Sequence, residues 1–272
     1  MTWGRVVAVA VLALLVALVA LPFYWAVVAS LTPEASLFEG AVLWPREPVL
    51  EHYRALFAER DFVTPLRNSI VVAAATTALC VTLGAPAAYA VARLTFRGRG
   101  LVLGLVLAVS VFPQISLVSP LYVLLRELRL IDTMPGLVLP YTTFAMPLAV
   151  WLLVGYFRQL PADMEEAALV DGATRVQALR HVVLPLAVPG LATTAVLTFI
   201  YCWNEFLFAL SFTVSPERHT VPVAIALFRG QYQVPWGQIL AAAVVATAPV
   251  AAAVLVLQRR IVQGLTAGAV KG

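Results

Sequence analysis

Residues 160–190 read LPADMEEAALVDGATRVQALRHVVLPLAVPG, a polar interruption in a chain that is otherwise largely apolar. Asp163 followed by Glu166 has the spacing of a capping box and predicts a short helix over about Met164–Val170. Asp171-Gly172 stops that helix, glycine being the residue that tolerates left-handed backbone. Thr174 with Gln177 forms a second capping box and predicts another helix through about Val183. Leu184-Pro185 ends it, and Pro189-Gly190 opens the next apolar run. The segment is expected to be two short capped helices joined at a glycine elbow, lying outside the membrane.

The membrane follows from what surrounds this segment. Of 272 residues 62% are hydrophobic and only 12% charged, with mean hydropathy +0.93. A soluble domain carries about a quarter charged residues, so the excess apolar surface must face lipid. One crossing takes about 20 apolar residues. Six spans are predicted, at about 6–31, 66–94, 101–125, 136–157, 190–212 and 238–257. They share one domain, 1–272, with a core over about 65–260. The first run is too long for a signal-peptide core, so it is expected to remain as a span. The longest internal break, 158–189, separates spans four and five. Pro22, Pro86, Pro113, Pro120, Pro140 and Pro147 are read as bends that neighbouring helices satisfy.

Charge sets the orientation. An inside N-terminus divides the 18 Lys and Arg ten to eight in favour of the cytoplasm, helped by Arg93, Arg97 and Arg99 and by Arg259-Arg260. Both termini and the 158–189 loop are then cytoplasmic. The basic balance reflects membrane topology rather than nucleic-acid binding. Cys80 and Cys202 lie in apolar runs and read as small buried hydrophobes, with no metal-ligand spacing. His52, His181 and His219 fall in loops and are expected to be solvated or capping.

The first loop helix sets Met164, Ala167, Ala168 and Leu169 or Val170 on an apolar face whose centre is small, ringed by Asp163, Glu165 and Glu166. Small residues let a partner's backbone come close. Two readings are open: docking into a groove on another protein, or resting on lipid headgroups. Headgroup-bound helices favour Lys and Arg, and the acidic rim favours docking.

Glu166-Ala167-Ala168, three residues, Gly172, nine residues, Val182, one residue and Leu184-Pro185 resemble the EAA loop of ATP-binding-cassette importer permeases. Val182 stands where the family usually has isoleucine. Asn68-Ser69 and Trp203-Asn204-Glu205-Phe206 look like the carbohydrate-importer branch, and the ending Gly264–Gly272 is similar to its maltose-type second permease. The resemblance covers nearly the whole chain. It implies an all-α polytopic protein with six spans, forming half of the translocation pathway for a sugar or sugar-like solute in a prokaryotic inner membrane. It implies three kinds of neighbour besides the bilayer: a second permease, a dimer of separate ATPases carrying ATP and Mg, and an extracytoplasmic solute-binding protein. Met164, Glu166, Ala167, Ala168, Asp171 and Gly172 would make the ATPase-coupling contact, with Lys271 and the tail as a lesser candidate.

The chain has no Gly-x-x-x-x-Gly-Lys-Ser/Thr loop. It is expected to bind no cofactor and not to be an enzyme. Polar groups inside spans are costly and mark cavities or buried pairs. Glu205, with Asn204, Tyr201 and Gln114, is the candidate solute pathway. Equally open is a structural role for Glu205 against Gln114, Ser116 or the second permease. A membrane-embedded enzyme lacks any catalytic set here. An ion-coupled secondary transporter, the alternative, would favour inverted repeats and several buried carboxylates, and Glu205 is the one that stands out.

Overall fold

The structure is a computed structural model describing residues 3–40, 43–228 and 234–266, with side chains as far as Gln258. Lys271 and the tail residues 267–272 lie outside the described residues. Among those described, the regular structure is all helical. Four helices are long and apolar enough to cross a membrane: α1 (Trp3–Ser30), α3 (Val63–Arg93), α6 (Met134–Phe157) and the Trp236–Gln258 part of α13 (Trp236–Thr266). They match predicted spans one, two, four and six. Between them run α2 (Glu51–Ala58), α4 (Arg99–Ala108), α5 (Gln114–Glu127), α7 (Asp163–Val170), α8 (Arg175–Ala178), α9 (Leu184–Leu186), α10 (Val188–Trp203), α11 (Leu207–Phe212) and α12 (Val221–Ala226).

Spans three and five are less regular than read. Span three is a bent pair, while Val188–Trp203 in span five is one half of another, with Arg175–Leu186, and the count reaches six if each pair is one crossing. Predicted span 101–125 breaks by 95° between Arg99–Val111 and Gln114–Glu127. Proline has no N–H and clashes with the carbonyl four residues back, and it pushes its predecessor into extended backbone. Phe112, before Pro113, sits at φ −69, ψ 129. Predicted span 190–212 stops at Trp203 and restarts at Leu207. By contrast Pro22, Pro86, Pro120, Pro140, Pro147 and Pro249 stay inside continuous helices.

Two compact units emerge: Met1–Thr64 with Ala224–Pro249, and Pro65–Val223 with Val250–Gly272. In the first, Leu56 and Phe62 are fully buried. His52, read as a loop residue that is solvated or capping, lies instead in α2 and is buried too, its Nε2 2.9 Å from the Thr32 carbonyl. Its ring fills the space beside Gly237, where any Cβ would collide with it. The Glu34 carboxylate accepts the Trp236 and Gly237 N–H groups at 2.8 and 2.9 Å, starting α13.

The second unit holds two apolar clusters. One joins Val72, Leu137, Tyr141, Phe144, Phe208 and Phe212. The other joins Ala88, Tyr89, Val150, Leu153, Phe157 and Val183. α6 packs along α10, and Gly190 makes that approach possible because a Cβ there would enter the Tyr156 ring. Cys80 and Cys202 are buried free thiols, as expected.

One loop of this unit is held by three side chains that sequence reading did not connect. Asn68 Nδ2 donates to the carbonyls of Glu217 and His219 at 2.8 and 2.9 Å. Ser69 Oγ accepts the Val221 N–H at 2.8 Å. Asp132, in left-handed backbone at φ 60, accepts from the N–H groups of Val214 (2.8 Å) and Ser215 (3.0 Å) and from the Ser215 hydroxyl. Burial raises the Asp132 pKa, but those donors and nearby Arg218 outweigh it, leaving the carboxyl below its usual value. A depressed folded pKa contributes stability above the unfolded value and loses it as pH falls through the folded one. Asp132→Asn is therefore expected to unfold several degrees lower than wild type at pH 7. That gap should persist down to about pH 4, the ordinary aspartate value, and close below it. A gap that does not change between pH 7 and pH 3 would exclude the charge as its source.

Candidate functional site

Between α6 and α10 the chain forms the two-armed loop that residues 160–190 predict, with one correction at its start. α7 begins at Asp163 rather than Met164, and its N-cap is Ala162, with no side-chain cap. Asp163, Glu165 and Glu166 instead crowd its first turn, where negative charge complements the helix dipole. The elbow is as expected, with Gly172 at φ +90. So is the second capping box: Thr174 N donates to Gln177 Oε1 at 2.7 Å, and Gln177 N to Thr174 Oγ1 at 3.3 Å. The second arm runs through α8, a π-helical turn at Leu179–Val183 and α9, then bends by 77° into α10. His181 is exposed there, its Nδ1 3.1 Å from the Gln177 carbonyl.

The two faces of α7 differ in kind. Met164 (54% exposed), Ala167 and Val170 (86% exposed) recur at intervals of three and form an open apolar strip. Glu166, Asp171 and Gly172 are exposed beside it and Ala168 is half-buried. On the second arm Val176 is 75% exposed. Of the residues read as the coupling contact, five are exposed and Ala168 is half-buried.

Glu165, which sequence reading placed only on an acidic rim, faces the other way. Its side chain is 7% exposed. It accepts the Tyr89 hydroxyl at 2.5 Å and lies 3.5 Å from Arg93 Nε and 3.9 Å from Arg175 Nη1. Arg93 also donates through Nη2 to the Leu160 carbonyl at 2.6 Å. The signal was present in the sequence as adjacent glutamates: successive helical residues point about 100° apart, so only one of Glu165 and Glu166 can face inward.

The proposed pathway residues meet only in part. Gln114 Nε2 donates to the Tyr201 hydroxyl at 2.8 Å, so Gln114 pairs with Tyr201. Asn204 is exposed, and its Nδ2 donates to the Ile200 carbonyl at 2.8 Å. Glu205 is 8% exposed and caps α11, accepting the Phe208 and Ala209 N–H groups at 2.8 and 3.2 Å. The buried Tyr141 hydroxyl lies near that carboxylate. A cleft of about 410 Å³ lies elsewhere, among Leu103, Trp151, Arg158 and Thr194, and none of the four pathway candidates lines it.

Residues 63–267 match the family described as binding-protein-dependent transport system inner membrane component. The chain belongs to this family. The permease is 49% identical to the trehalose transport system permease protein SugB of Mycobacterium tuberculosis over 254 residues, covering 93% of this chain and 92% of that one. It is 43% identical to the trehalose/maltose transport system permease protein MalG of Thermococcus litoralis, over 96% of this chain and 95% of that one. It is 42% identical to the sulfoquinovosyl glycerol transport system permease protein SmoH of Agrobacterium fabrum, over 92% and 88%. Its fold matches a chain of a bacterial ABC transporter involved in the import of the acidic polysaccharide alginate, with TM-score 0.78 and 24% identity over 94% of this chain and 95% of that one. The permease is a membrane transport component of all-helical fold, as its sequence predicts.

Proposed function

We propose that this permease forms half of the pathway of an ATP-binding-cassette importer for a sugar or sugar-like solute and takes its drive from a separate ATPase. The observation carrying this reading is the open strip Met164–Ala167–Val170, held outward on a braced, capped loop with acidic residues around it. An apolar strip in an otherwise charged setting suits helix-in-groove docking. Glu166, Ala167, Ala168, Asp171, Gly172 and Met164 make the docking contact. ATP and Mg sit on the ATPase dimer, whose closure rocks this permease against a second one, and a solute-binding protein delivers cargo to the opposite face. Both termini and the loop lie on the cytoplasmic side. Asn204, Tyr201, Gln114 and Glu205 border the pathway near the break between α10 and α11. The sugar assignment is supported by the trehalose and maltose systems in which relatives serve. An ion-coupled transporter is disfavoured because Glu205 is engaged in capping α11.

The permease should co-purify with its ATPase and second permease, and vesicles holding the complex and the binding protein should take up labelled trehalose only with ATP inside. Glu166→Ala should keep the fold and Gly172→Val, strained at φ +90, should misshape the elbow while the membrane helices stay folded; either complex should hydrolyse ATP without uptake or release the ATPase. Uptake driven by an ion gradient with no ATPase bound would overturn the proposal.

A further inference from the structure

We infer that Glu165 is the pin through which a partner seated on α7 moves α3, an assignment that rests on the docking reading above. α7 is joined to its sequence neighbours by non-helical backbone: residues 158–162 on one side, and the turn at Gly172, φ +90, on the other. A push on its outer strip can therefore be absorbed by the loop unless something stiffer holds α7.

The inner face supplies that hold. Glu165 is bound to Tyr89 and Arg93, residues four apart and so on one face of α3. They are about seventy positions away in the chain, so the bond joins α7 to a long helix that it does not adjoin in sequence. Tyr89 is itself 4% exposed and sits edge-on to Phe157 of α6, with ring centroids 6.5 Å apart. Arg93 is tied to Leu160 at the loop entrance, and Arg175 reaches the same carboxylate from beyond the elbow. One buried carboxylate thus gathers α3, the loop entrance and both arms. Separating it would strand a buried charge, an outcome that is strongly unfavourable. Displacing α7 with α3 attached is the easier motion. Glu165 is in these terms a positioning residue, acting through α3.

The test uses the complete complex of permeases, ATPase and binding protein, with a fluorophore on Arg97→Cys, an exposed position just beyond α3. In wild type, ATP with vanadate should change the label's signal. In Glu165→Gln that change should fall to the nucleotide-free level while the ATPase stays bound and hydrolysing. The Glu165→Gln/Arg93→Gln double variant should be no worse than the worse single, because both remove one link. Tyr89→Phe, which loses a single hydroxyl, should show a partial loss and serves if Glu165→Gln is poorly folded. A wild-type signal change in Glu165→Gln or in Tyr89→Phe would overturn the inference. So would loss of the ATPase in step with the signal, which marks a merely structural anchor. Failure of the docking reading looks different, since the wild-type complex would then hold no ATPase.

Discussion

Glu205→Leu is expected to unseat the segment Leu207–Phe212 and lower the stability of the whole second unit. The carboxylate accepts two backbone N–H groups at the start of that helix, from Phe208 and Ala209, both fully buried. Leucine has similar bulk but no acceptor, so both donors would be left unpaired in a low-dielectric interior. Each such group costs about 1–3 kcal/mol, against a typical total stability of about 5–15 kcal/mol. The damage would spread, because Phe208 and Phe212 stack at 5.6 Å and Phe208 meets Phe144 at 5.0 Å in the larger apolar cluster. Glu205→Gln retains one carbonyl oxygen, satisfies one of the two donors and should lose about half as much. Thermal unfolding in detergent, read alongside limited proteolysis near residue 206, measures both. If Glu205→Leu unfolds at the wild-type temperature and fails only in transport, the cap adds little stability and the residue matters through the solute path.

Ala167→Trp should do the reverse, leaving the permease intact and stripping it of its ATPase. Ala167 is exposed at the centre of the strip, between Met164 and Val170, so an indole there has room at the surface and need not displace the core. A groove shaped around a methyl group would have to open to admit it. Overpacking costs about 1–3 kcal/mol, and about 1.4 kcal/mol is tenfold in affinity. Retention of the ATPase on the immobilised permease should drop accordingly while the unfolding temperature stays put. Undiminished retention would place the docking contact elsewhere on the loop.

How much the sequence reveals depends on the range of the interaction concerned. The Thr174–Gln177 box and the Gly172 elbow are local, set by residues within three or four positions, and both are found as read. Four spans are legible because hydropathy accumulates over a whole helix. The break at Pro113 is local too, yet proline-containing spans are common enough that six such residues look alike, and the structure bends sharply at one of them. Asp163 fails as a cap because the helix starts one residue early, which moves its side chain off the orphan N–H groups. The inward turn of Glu165 is of another kind. It depends on the rotational phase of α7 against α3, and no short window holds both. The clamps from Asn68, Ser69 and Asp132 onto the 212–221 segment span more than 80 positions and are equally hidden.

The corner at Phe112–Pro113 carries an obligation for the assembled transporter. Hydrocarbon tolerates non-helical backbone only where it is sheltered by protein or beside water. In this chain Val111, Phe112 and Ile115 stand 81%, 60% and 64% exposed around the bend. Wherever that elbow sits at hydrocarbon depth, acyl chains are a forbidden neighbour for it, and a protein surface or water has to cover it.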